Sequence, residues 1–82
     1  MGATENLQKL NTIVARVFAI PESAVTDTAS PQTVSSWDSY NALMLVSQIE
    51  TGFAVTFSMD EVMEVKNIGD MKERLRCHGI EL

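Results

Sequence analysis

Trp37-Asp38-Ser39-Tyr40-Asn41-Ala42-Leu43-Met44-Leu45-Val46-Ser47-Gln48-Ile49-Glu50-Thr51-Gly52 is the stretch on which the fold turns. Ala42, Leu45, Val46 and Ile49 fall at i, i+3, i+4 and i+7, an arc of roughly 100° that suits docking on a helical bundle. Asp38 is a good N-cap, because its side-chain oxygen accepts from the free amides of the next turn. Gly52 suits the left-handed position just past a helix. The stretch therefore predicts a helix over Ser39 to Thr51, with Ser39 displayed at its first turn. From Val17 to Val65 the acids are Glu22, Asp27, Asp38, Glu50, Asp60, Glu61 and Glu64, with no Lys or Arg among them.

Towards the N-terminus, Leu7, Leu10, Val14 and Val17 recur at helical spacing, with Ile13 and Phe18 beside them, and predict a helix from about Thr4 to Ala19. Pro21 ends that pattern. The connection to Trp37 holds Pro31 and many Ser and Thr, a length that is often functional. Val25, Val34 and Trp37 are the residues that pin it to the core, and Pro21 to Val25 suits a single helical turn.

Beyond Gly52, Phe53, Val55 and Phe57 alternate as in a strand. No second strand pattern exists to pair with them, so they read as an anchored loop. Ser58-x-x-Glu61 has the form of a capping box and predicts a short third helix with Val62 and Val65 inward. Asn67 caps a last helix, in which Ile68, Met71 and Leu75 share one face, Lys72, Arg74 and Arg76 lie near the C-terminal end, and Gly79 is the stop. The prediction is all-α: one domain over residues 1–82, a small four-helix bundle of three longer helices and one short third helix, with a long first loop.

At 82 residues the chain is too small for a large catalytic cleft. Its partners are expected to do the chemistry. A hydrophobic content of 45% suits a compact bundle, and a net charge of -5 disfavours nucleic acid or anionic membrane, which need clustered Lys and Arg. A partner with a basic surface fits better. The longest apolar run, Ala42 to Val46, cannot span a bilayer, and residues Met1 to Leu10 lack the apolar core of a signal peptide. A single cysteine, Cys77, allows no internal disulfide and fits a reducing compartment. A cytoplasmic monomer is the simplest expectation.

A nucleophilic serine needs a base held by a third group, and the chain has one histidine, His78, in its C-terminal tail. No G-x-S-x-G elbow surrounds Ser39, no His, Cys or carboxylate spacing fits a metal, and the glycines form no phosphate loop. No catalytic residue or metal ligand is assigned, and Ser39 reads as a residue presented to another protein for modification.

At this point the chain resembles the acyl carrier proteins of the phosphopantetheine-binding family. The resemblance rests on Asp38-Ser39 at the start of helix two, the pattern Ala42, Leu45, Val46 and Ile49, and Phe53 after it. It continues through Ser58 to Val65, with Asp60-Glu61, to Ile68-Gly69-Asp70. It covers the whole chain in order, which makes it far more specific than Asp-Ser alone. What it implies is that Ser39 bears a 4'-phosphopantetheine arm derived from coenzyme A and transferred by a phosphopantetheinyl transferase. The arm would hold acyl groups as thioesters for a loading synthetase or transferase and for downstream acyl-processing enzymes. Asp38 would also meet basic residues of the transferase.

The departures concern partner and cargo. Tyr40 stands where the family usually has an aliphatic residue, and either packs its ring or lines the path of the attached chain into the core. Helix two has only Glu50 as a charge, which points to a specialised, free-standing carrier of bacterial style. Leu43, Met44 and Met63 form an apolar partner patch if exposed together, and belong to the core if not. Glu50, Asp60 and Glu61, with Glu64, are either an acidic partner face or merely solvated. Trp37 is a loop anchor or a wall beside the arm. The rivals are an aminoacyl or peptidyl carrier, whose glycine-rich lead-in is here Ser35-Ser36-Trp37, an unmodified helical interaction module, and catalysis by Ser39 with His78.

Overall fold

The computed structural model describes residues 2–82. Four α-helices follow one another: α1 Gly2–Phe18, α2 Ser39–Phe53, α3 Met59–Glu64 and α4 Ile68–Cys77, with a short 3-10 turn at Glu22–Ala24. Among the described residues there is no strand, and no helix is long and apolar enough to cross a membrane.

The apolar stripes meet along most of their length, with Leu7, Val17, Ala42 and Val46 only partly buried. Leu10, Val14 and Phe18 of α1, Leu45 and Ile49 of α2, and Ile68, Met71 and Leu75 of α4 form the buried centre. Lys9 Nζ, midway along α1, donates to the Gly52 carbonyl at 2.7 Å near the end of α2, while Ser36 Oγ, before the start of α2, donates to the Phe18 carbonyl at 2.6 Å at the end of α1. These two bonds show that α1 and α2 run antiparallel.

The long loop is pinned where expected. Val25 and Val34 are buried, and Trp37 stacks on Phe18 with ring centroids 4.9 Å apart. Trp37 is thus a loop anchor. Ala29 is buried as well, and the loop closes onto α4: the amides of Ile68 and Gly69 donate to the carbonyls of Ala29 and Asp27 at 3.1 and 2.9 Å. Those two amides belong to the first turn of α4, where no intrahelical acceptor exists. A Cβ on Gly69 would lie 3.2 Å from the Asp27 carbonyl oxygen, so glycine lets the loop come this close.

Three helix starts follow their caps. Asp38 Oδ1 accepts from the Asn41 amide at 2.8 Å, Ser58 and Glu61 form the reciprocal capping box, and Asn67 Oδ1 accepts from the Asp70 amide at 2.7 Å. The ends differ from expectation. Helix α1 begins by Gly2 rather than Thr4 and stops at Phe18, because Ala19 takes the left-handed conformation with φ 55°. Gly52 is not the stop of α2; the helix continues to Phe53 and Ala54 turns left-handed with φ 55°. Gly52 instead faces α1, where an added Cβ would stand 3.1 Å from Ile13 Cδ1. Close helix approach, not turn chemistry, explains this glycine. Gly79 is left-handed as expected, with φ 87°.

Candidate functional site

Ser39 is the first residue of α2, exposed, directly after the capping Asp38. The turn that presents it is rigid. Ser36 is tied to the end of α1, Trp37 is stacked on Phe18, and Asn41 Nδ2 donates back to the Ser36 carbonyl at 2.8 Å. A shallow recess of about 340 Å³, lined by Pro31, Trp37, Asp38, Ser39 and Ala42, opens beside the hydroxyl. The free amides at the helix start favour an anion on that serine. A phosphodiester chain attached there has both room and a favourable dipole, so the residues present fit the arm that the resemblance implies.

The serine has no base of its own. His78 Nε2 lies 2.7 Å from Glu61 Oε2, and its ring meets Phe57 edge-on at 5.0 Å. Phe57 in turn donates its amide to Glu50 Oε2 at 2.9 Å, beside the C-terminal half of α2. Ser39 stands eleven residues before Glu50, about 16 Å along the helix. Catalysis by Ser39 with His78 therefore fails on geometry. No group of three or more His, Cys, Asp or Glu side chains could hold a metal among the described residues.

The expected partner residues divide. Tyr40 is 70% exposed, Leu43 61%, Met44 38% and Met63 72%, so none of them belongs to the core. The packed-ring reading of Tyr40 is thereby overturned: it lies about 180° around α2 from the mean direction of Leu45, Ile49 and Phe53. Leu43 and Met44 do not share one patch. At 100° per residue Leu43 sits about 40° from Ser39 and Met44 about 140°, on the two flanks of the helix. Leu43 falls on the flank of Val46 and Glu50, towards α3, whereas Met44 and Tyr40 line a groove with Arg16 on the α1 side.

The acids divide too. Glu50 is spent on the Phe57 amide, and both oxygens of Glu61 are engaged, Oε1 by the Ser58 amide at 3.0 Å and Oε2 by His78. The bond from the Ser58 amide, followed by that from His78, holds the Glu61 carboxyl below its ordinary range. Glu64 lies 3.7 Å from Arg74, and Asp60 is exposed at the start of α3. Met59, 69% exposed, was not anticipated; it stands one turn before Met63, and that i, i+4 pair of methionines was its signal. Between α2 and α3 lies a small cavity of about 30 Å³ lined by Trp37, Ala42, Leu45, Val46, Val62 and Met71, room for about one water.

A small helical domain that presents one serine at a fixed helix start, without catalytic machinery around it, is of the kind that other enzymes modify and read. The family model for the phosphopantetheine attachment site matches residues 8–75, and the chain belongs to that family of carrier proteins. The family bears 4'-phosphopantetheine covalently, and its carrier domains are themselves non-enzymatic. Among curated proteins no match is found.

Proposed function

We propose that this protein is an acyl carrier whose arm is attached at Ser39. The observation that carries the reading is the exposed Ser39 hydroxyl at the first residue of α2, behind the capping Asp38 and inside the matched segment. In the loading reaction Ser39 Oγ attacks the β-phosphorus of coenzyme A, forming the phosphodiester and displacing 3',5'-ADP. The serine proton leaves to a base of the phosphopantetheinyl transferase, which also supplies magnesium. When attached, the arm supplies a thiol on which an acyl group is held as a thioester and passed between enzymes at high effective concentration.

An acyl rather than aminoacyl or peptidyl cargo is supported by the lead-in to the serine, Ser35-Ser36-Trp37, which is held to α1 and is not glycine-rich. Partner enzymes would meet the flank of α2 that bears Ser39 and Leu43 together with Met59 and Met63 of α3, with Asp38 and Asp60 as the carboxylates on its rim. Such a surface is adaptable and mostly apolar, so partner binding should respond weakly to salt.

Incubation with coenzyme A and a phosphopantetheinyl transferase, followed by intact-mass analysis, tests the assignment. The expected result is one added phosphopantetheine, lost in Ser39→Ala with the helical circular dichroism retained. No gain with several transferases, or a gain that persists in Ser39→Ala, would refute it.

A further inference from the structure

The flank of α2 turned away from α3 carries a second concave site. Because α1 and α2 are antiparallel, the last turn of α1 lies beside the first half of α2. Arg16, Val17, Tyr40, Asn41, Met44 and Gln48 line a groove of about 240 Å³ between them. It starts at the residue next to Ser39. From Tyr40 to Gln48 it extends about 12 Å along the helix.

The lining is chemically mixed in an ordered way. Met44 and Val17 supply apolar wall, and Tyr40 and Gln48 supply hydrogen-bond donors. Arg16 is the only cation between Lys9 and Lys66. Among the described residues its guanidinium pairs with no carboxylate, as is also true of Lys9 and Lys66, whereas Lys72, Arg74 and Arg76 each do. Arginine presents a planar fork that matches a carboxylate with two parallel bonds. A position in the last turn of α1 also complements the helix dipole, but that role is indifferent to what the carrier holds.

We propose that this groove receives the distal end of the carrier's own cargo, and that the cargo is an acyl group ending in a carboxylate. Arg16 pairs with the carboxylate, Tyr40 and Gln48 donate to it or to the arm's amides, and the alkyl segment lies on Met44 and Val17. The proposal rests on Ser39 as the attachment point. The arm is about as long as five extended residues, roughly 17 Å, so a chain rooted at Ser39 reaches the whole groove. An open surface site with one exposed ion pair binds a free ligand weakly. A tethered ligand arrives at millimolar effective concentration and fills such a site without further affinity.

The test uses two six-carbon thioesters that differ at one end, adipyl and hexanoyl coenzyme A, from each of which a phosphopantetheinyl transferase moves the acyl-phosphopantetheine onto the protein with release of 3',5'-ADP. Intact mass first establishes loading. Chemical shifts of the Arg16 Nε–H, the Met44 methyl and the Gln48 side-chain amide are then compared with those of the unacylated form. The adipyl form is expected to shift all three and the hexanoyl form not. Arg16→Gln, a surface change monitored by circular dichroism, should abolish the adipyl-specific shifts. Equal shifts from both cargoes, adipyl shifts confined to Val62 and Val65, or shifts that survive Arg16→Gln would each overturn the proposal. Failure to load either thioester overturns the Ser39 assignment and the tethered occupant with it, a result the mass spectrum separates from failure of the groove.

Discussion

Helices α2 and α3 are both capped at their first turn, yet different forces hold them in place. Helix α2 buries Leu45, Ile49 and Phe53 in the common core, whereas α3 has six residues and none of them is buried. A helix that short has no stability of its own in water. What holds α3 is the partial burial of Val62 against the core together with a set of polar contacts, the Ser58–Glu61 box, the Glu61–His78 bond and the Glu64–Arg74 pair. Burial makes α2 open only when the whole domain opens, while α3 is free to open locally. The serine thus sits on the fixed element, and the exposed methionines Met59 and Met63 sit on the adjustable one.

The largest effect that tests this contrast is expected from Ile49→Ala. Deleting a fully buried aliphatic side chain from α2 should cost about 2–5 kcal/mol of global stability, read from the urea midpoint. Ser58→Ala removes a cap instead and should cost about 1 kcal/mol, confined to α3. Amide exchange at Val62 and Met63 should accelerate while that at Leu45 and Ile49 stays near the wild-type rate. If Ser58→Ala lowers the global midpoint and exposes α2 as well, the two helices form one cooperative unit and the contrast is wrong.

Acid should separate the helices more gently. The Glu61 carboxyl is held below its ordinary value of 4.5, first by the Ser58 amide and then by His78. A carboxyl depressed in the folded state contributes in full above its unfolded pKa, and the contribution fades as pH falls through the folded pKa. Below about pH 4.5, exchange in α3 should therefore rise before exchange in α2 does. In Glu61→Gln that acid-dependent step should vanish, leaving α3 loose at neutral pH; an unchanged step would assign it to another carboxylate.

The features legible in the sequence were the local ones. Asp38, Ser58 and Asn67 act as caps because a cap needs only its own next turn, and the apolar stripes on α1, α2 and α4 needed only helical spacing. The place of Ser39 at the first turn of α2 was legible for the same reason. Gly52 was misread because its place is decided by α1, a neighbour distant in sequence. Glu50 and Glu61 looked like solvated or partner-facing acids, and only the folded chain brings the Phe57 amide and His78 to them. The angle of Tyr40 already put it outside the apolar arc of α2, and only its standing at an aliphatic position, with the packing habit of tyrosine rings, suggested burial. The Arg16 groove was illegible because it joins two helices across the long loop.

The smallest effect sharpens the contrast from the far end of α2. Ala54 holds a left-handed backbone with φ 55° and closes the helix, its amide donating to the Glu50 carbonyl. An alanine there bears a steric cost of about 1 kcal/mol that glycine avoids. Glycine also raises the entropy of the unfolded chain, which offsets part of the gain. Ala54→Gly should thus stabilise the protein by about 0.5 kcal/mol, small but global, because α2 cannot open apart from the core. A rise in the urea midpoint with uniformly slower exchange across α1, α2 and α4 is the expected result. A gain confined to the residues after Phe53 would mean that the end of α2 frays independently, and that the fixed element is shorter than its hydrogen bonds suggest.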